Sequence, residues 1–129
     1  MESLLEIVLT PNAPQPIGPY SQAVQSRDLL FCSGQIAIDP ATGQMVQSTI
    51  EEETKQVMKN IRAVLEAAGG TFANVVKTTI FLTNMADFSA VNNVYEYGLG
   101  TARPARSTVQ VAALPKGARV EIECIASLS

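Results

Sequence analysis

The sequence predicts an α+β domain, one sheet with two helices packed on one of its faces. Three observations carry that expectation. Strand-like and helix-like segments read β-β-β-α-β-α-β-β in chain order, without the strict alternation of a doubly wound α/β fold. Two windows place apolar residues at helical spacing, and the others run as short apolar or alternating stretches. The chain has 129 residues, 47% apolar and 16% charged, a balance that suits one domain over 1–129 whose core needs no disulfide or metal staple.

Leu4 to Leu9 reads as a short apolar strand. Pro11, Pro14, Pro16 and Pro19 make the next stretch irregular, since proline cannot donate to a ladder. Tyr20 to Val24 resumes as a strand after the Gly18-Pro19 turn. Leu29 to Ile38 is an apolar run bounded by Asp28 and Asp39-Pro40, with Gly34 marking a bulge or a close backbone approach. The first helix is the clearest element. Ile50, Thr54, Val57, Met58, Ile61, Val64, Leu65 and Ala68 share a face, Thr49 and Glu52 form a capping box, and Gly69-Gly70 stops it. Glu51, Glu52, Lys55, Lys59, Arg62 and Glu66 form its solvated side. Val75 to Thr83 alternates as a strand. A shorter helix follows, capped by Asp87, lined inside by Phe88, Val91, Val94 and Tyr95, and stopped at Gly98. Arg106 to Val111 and Arg119 to Ala126 read as the arms of a hairpin turned by Pro115-Lys116-Gly117.

Composition narrows the chemistry. Nine basic against twelve acidic residues give a net charge of −3, so the cationic stripe of a nucleic-acid binder is missing. Histidine is absent, which removes histidine triads, bases and metal ligands. Cys32 and Cys124 match no metal or redox spacing and read as buried, inert thiols in a reducing compartment. The acidic amino terminus lacks the basic region of a secretory signal, and prolines break the longest uncharged run, so a cytoplasmic protein away from membranes is expected.

The hairpin supplies the candidate chemistry. Matching the apolar faces of its arms sets Arg106, Thr108, Gln110, Glu121 and Glu123 on one polar face. Arg106 then falls opposite Ile125 and Gln110 opposite Glu121, leaving roughly 13 Å between Arg106 and Glu121 at ~3.3 Å per residue. Too distant to pair within its own hairpin, the Arg106 fork is left for a ligand carboxylate, which it grips bidentately. The same face also reads as plain solvent exposure or as a salt-bridged contact between subunits. Tyr20 presents a phenol at a loop mouth or simply packs. Asn92 and Asn93 bond a ligand or face water. Ser33-Gly34 offers backbone N–H groups to an anion.

Ile17-Gly18-Pro19-Tyr20-Ser21-Gln22, Ser33-Gly34-Gln35-Ile36, Asp39-Pro40-Ala41-Thr42-Gly43, Pro104-Ala105-Arg106-Ser107, Leu114-Pro115-Lys116 and Val120-Glu121-Ile122-Glu123 together resemble the RidA/YjgF family of reactive enamine/imine deaminases, once labelled L-PSP endoribonucleases. The resemblance runs from Ile17 to Ala126. It implies a chorismate-mutase-like α+β fold with a mixed six-stranded sheet, a homotrimer with ligand sites at the subunit clefts, and no cofactor or metal. The implied partners are small 2-imino and 2-enamino acids, with neither nucleic acid nor membrane. The implied reaction is hydrolysis of 2-aminoacrylate and 2-iminobutyrate-type intermediates to 2-keto acids and ammonia. Position by position, it implies that Arg106 binds the substrate carboxylate and that Glu121 holds the attacking water. It further implies that Tyr20, Ser33, Gly34 and Asn92 line the pocket, and that Thr108, where many relatives have cysteine, contributes its main-chain carbonyl. Relatives usually carry an aromatic-rich segment after the second helix, whereas Tyr97-Gly98-Leu99-Gly100-Thr101-Ala102-Arg103 is shorter and lacks those aromatics.

This chemistry suits a chain without histidine. An iminium carbon is already electrophilic, so the protein need only fix the carboxylate, orient a water and accept a proton. The alternatives are a non-catalytic trimeric binder of small keto or amino acids, a chaperone-like surface, and the older ribonuclease reading, which the negative charge and missing histidine disfavour. Either Glu121 or Glu123 fits the water-holding role.

Overall fold

The computed structural model describes residues 5–129; Leu4, expected in the first strand, lies outside them. The elements are β1 (Leu5–Val8), β2 (Ala23–Ser26), β3 (Leu29–Gln35), α1 (Ile50–Ala67), β4 (Val75–Leu82), α2 (Phe88–Leu99), β5 (Ala105–Gln110) and β6 (Val120–Ser127). They form a six-stranded sheet in the order β1-β2-β3-β6-β4-β5, antiparallel except for the parallel β4–β5 pair. The expected α+β class with a mixed six-stranded sheet is therefore what the chain adopts. No helix among the described residues is long and apolar enough to cross a membrane.

Side-chain alternation decides the faces. Val8, Ala23, Cys32 and Cys124 share one cross-strand row, and Ile80 and Ile122 share another, all buried under the helices. With Val57, Ile61, Val64 and Leu65 from α1 and Val91, Tyr95 and Leu99 from α2, these rows build one core. Ile7, Val24, Phe31 and Ile125 form a row on the opposite face, which no helix covers. Ile7 is 73% exposed and Phe31 44%. In the core row, Cys32 and Cys124 are both free thiols. Their mutual hydrogen bond, with burial, pushes the Cys124 thiol far up, so it stays protonated and inert.

The expected hairpin does not form. β4 lies between β5 and β6, pairing Thr78 with Arg106 on one side and with Cys124 on the other. A strand–helix–strand unit returns its second strand parallel to the first, so β4-α2-β5 places β5 at the sheet edge. Residues 111–119 then carry the chain back across the end of β4. The single polar face predicted for Arg106, Thr108, Gln110, Glu121 and Glu123 disappears with the hairpin. Arg106, Thr108 and Gln110 lie in register with Thr78, Ile80 and Leu82 on the helix side, while Glu121 and Glu123 lie in register with Phe81 and Thr79 on the open side.

Smaller differences have local causes. Only half of the expected box at α1 forms. The Thr49 hydroxyl accepts from the Glu52 N–H, but the Glu52 carboxylate sits on Lys55. Gly69-Gly70 ends α1 as expected, with the Gly70 N–H on the Leu65 carbonyl. Asp87 makes no side-chain cap; Asn84 caps a short 3₁₀ turn leading into α2. Helix α2 continues through Gly98, whose missing side chain admits Met58, and stops at Gly100 with φ 65°.

Buried polar groups position the loops around the sheet end. The fully buried Glu53 accepts the Arg119 backbone N–H and Nε, both at 2.7 Å, tying the start of β6 to α1. Buried Asn60 donates to the carbonyls of Ile36 and Ile38. Buried Gln22 accepts the Thr10 N–H and donates to the carbonyls of Thr10, Ala13 and Pro14, which gives the proline-rich segment its shape.

Candidate functional site

The predicted site residues fall into two groups on opposite sides of the sheet. The first surrounds Arg106 on β5. Its Nη1 donates to the Asn92 Oδ1 at 2.6 Å, and its guanidinium carbon lies 5.5 Å from the Phe88 ring centre and 5.4 Å from that of Tyr95. Among the described residues Arg106 has no carboxylate within ion-pairing distance. Glu96, which lines the same depression, is taken by Arg103 at 3.6 Å. Thr108, one alternation along β5, has a buried Oγ1 without a hydrogen-bond partner.

The second group surrounds Glu121 on β6, at the wall of a pocket of about 500 Å³ that Tyr20, Ser33, Gly34 and Lys116 also line. Ile17, Ile36, Ile38 and Pro14 make much of the remaining wall apolar. Gly34 lies in the irregular stretch of β3 between Cys32 and Gln35, where the register with β6 shifts. A methyl group there would meet the Glu121 carboxylate, so only glycine lets that side chain cross the strand. The Ser33 hydroxyl donates to the Ser21 carbonyl at 2.5 Å, locking the strand to the segment that carries Tyr20. Half burial, reinforced by the neighbouring Glu123 charge, raises the Glu121 carboxyl above its ordinary value of 4.5. Glu123 is exposed and does not line the pocket, whereas Glu121 does.

One chain therefore brings Tyr20, Ser33, Gly34 and Glu121 together, and separately Asn92, Arg106 and Thr108. It does not bring the two sets together. Sequence reasoning missed three contributors. Phe88 and Tyr95 read as core residues, although their spacing with Asn92 put all three on one helical stripe. Lys116 read as a turn residue; it lines the pocket in a left-handed conformation at φ 56°, a rare conformation for a residue other than glycine.

The chain matches the endoribonuclease L-PSP family over residues 10–128. It belongs to that family. Among L-PSP relatives, the goat 2-iminobutanoate/2-iminopropanoate deaminase is 53% identical over 127 residues, 98% of this chain and 93% of that enzyme. The crystal structure of YyfA, a Rid-family protein of Yersinia pestis, superimposes with a TM-score of 0.93 at 53% identity, covering 95% of this chain and 98% of that one. Escherichia coli TdcF with bound serine superimposes with a TM-score of 0.91 at 38% identity, covering 96% and 99%. The RidA/YjgF resemblance of the sequence motifs and the L-PSP family are thus one and the same assignment.

Proposed function

We propose that this protein hydrolyses reactive 2-imino and 2-enamino acids to 2-keto acids and ammonia, in sites assembled between copies of the chain. The observation that carries this reading is the segregation of a guanidinium without a carboxylate partner among the described residues and a half-buried carboxylate onto opposite faces of one sheet. Alone, the chain holds an anion receptor without a base and a base without a receptor. A second copy that presents its Arg106 to the Glu121 pocket supplies both. The uncovered sheet face supports such an assembly. Ile7, Phe31 and Val109 are exposed there, and apolar surface of this kind gains by burial against another copy. A closed cyclic trimer makes three equivalent sites from one contact type. The deaminase names of relatives near 50% identity over almost the full chain support the reaction class.

In the reaction, Arg106 grips the substrate carboxylate with its fork. Glu121 accepts a proton from water as the water oxygen bonds to the iminium carbon. The resulting carbinolamine takes that proton on nitrogen, and as the C–N bond breaks its hydroxyl proton passes to the regenerated Glu121 carboxylate and from there to solvent or the departing ammonia. The products are the 2-keto acid and ammonia, with no electrons gained or lost. The raised carboxyl of Glu121 suits a group that must both take and return a proton. Tyr20, Ser33 and the apolar wall shape the pocket around the substrate side chain.

The test generates the imine in place with an amino-acid oxidase while semicarbazide competes for it. Active protein lowers the semicarbazone yield in proportion to its concentration, and Arg106→Ala restores it. Tight binding of 2-oxobutanoate with an unchanged yield replaces this reading with that of a non-catalytic binder.

A further inference from the structure

We propose that Phe88 and Tyr95 are positioning residues for Arg106, forming with Asn92 a neutral cage that aims the guanidinium while leaving its charge intact. The inference rests on the carboxylate-binding role given to Arg106 above. Residues 88, 92 and 95 stand at i, i+4 and i+7 on α2 and so share one stripe of the helix. That stripe lies over β5, and each of the three touches the guanidinium. The two rings lie at nearly equal distances from its carbon, 5.5 and 5.4 Å. Aromatic faces attract a cation through their quadrupole without neutralising it. Asn92 occupies one donor of Nη1, and arginine has five, so the other donors stay available for a bidentate carboxylate.

The cage is itself braced. Tyr95 is 5% exposed, and its hydroxyl lies 2.6 Å from the Thr78 Oγ1. Thr78 is the residue in register with Arg106 on the neighbouring strand. Strand, helix and guanidinium thus close a triangle whose corners are Arg106, Thr78 and Tyr95. The acid that lines the depression is drawn off by a second arginine, since Arg103 holds Glu96. An acidic partner on Arg106 would compete with the substrate; three neutral partners restrain it without competing.

The test compares Phe88→Leu, Tyr95→Leu and Tyr95→Phe with the parent protein. Loss of one ring contact raises the KM for imine and the Kd for 2-oxobutanoate by about 2- to 30-fold, with kcat within a factor of two. Tyr95→Phe, which keeps the ring, restores most of the affinity. In ligand-free protein, ¹⁵N NMR places the Arg106 side-chain signals under ring-current shift and slow rotation. Phe88→Leu, at the half-buried and more tolerant position, returns them toward solvent values. A purely structural role lowers melting temperature and kcat together with KM unchanged and the Arg106 signals unmoved, and overturns the proposal. If the parent neither turns over imine nor binds 2-oxobutanoate while the NMR signature responds as described, the cage stands and the proposed reaction fails. An unshifted Arg106 signal in the parent removes the cage whatever the activity.

Discussion

Arg106 and Glu121 belong to strands that both neighbour β4, yet their side chains leave the sheet on opposite faces. Arg106 is in register with Thr78, beneath the helices, and Glu121 is in register with Phe81, on the uncovered side. Subunit complementation follows from this relationship. Arg106→Ala and Glu121→Ala proteins are each inactive alone. Unfolded together and reassembled at equal amounts, they regain activity, because about one site in four of a randomly mixed ring draws an intact arginine from one copy and an intact glutamate from the next. Sedimentation of each variant at the parent's size controls for assembly. If the mixture stays inactive, both groups come from the same protomer.

Gly34→Ala separates chemistry from folding. The added methyl falls on the Glu121 carboxylate, the mobile end of a side chain, and pushes it from its place. Melting temperature stays within a few degrees, because nothing rigid is displaced. Turnover falls by about 10²-fold, the scale of a mispositioned general base. Parent-like kcat in this variant removes Glu121 from the proton-transfer role.

The pH dependence of rate and of stability runs in opposite directions. The native chain holds the Glu121 proton above 4.5, where an unfolded chain releases it. In that interval the native state carries the extra proton, so this group's stabilising effect is complete at pH below 4.5 and fades as pH rises through the native value. The rate climbs over the same interval, because the base must be ionised. Glu121→Gln removes the acidic limb of residual kcat/KM and flattens the decline in stability. Urea titrations across pH 4 to 8, paired with rates, check both; an acidic limb that persists in the variant belongs to another group.

Glu53→Ala tests the tie between α1 and β6. It leaves the Arg119 backbone N–H and Nε without their acceptor, while Nη2 keeps the Gln47 carbonyl. The loss is about 3 kcal/mol, toward the low end for a broken buried pair because Arg119 keeps contact with water. Chemical denaturation reads it directly. A midpoint unchanged from the parent shows that water replaces the carboxylate at no cost.

Much of this architecture was legible in the residues. α1 stood out because eight apolar or small residues repeat at helical spacing between Thr49 and Gly69. β4 stood out because its alternation is strict. The error lay in joining β5 to β6. A short connection containing Pro115-Lys116-Gly117 looks like a hairpin turn, and local pattern cannot show a third strand inserted between two arms. The corrective signal was present, since β4-α2-β5 is a strand–helix–strand unit and such units make parallel neighbours. The motifs singled out Arg106 and Glu121 but not the faces they leave from, because facing depends on register, and register on that topology. Phe88 and Tyr95 were hidden for another reason. An aromatic residue on the inner face of a helix satisfies the core pattern completely, and only the structure shows the cation beside the ring.

β6 lies at the centre of the sheet and comes last in chain order. Before it arrives, β1-β2-β3 and β4-β5 are two ribbons with no strand in common, each with an open inner edge. A ribosome must therefore deliver residues 120–127 before either ribbon finds its neighbour, and a nascent chain stalled short of them exposes two unpaired edges of the kind that seed aggregation.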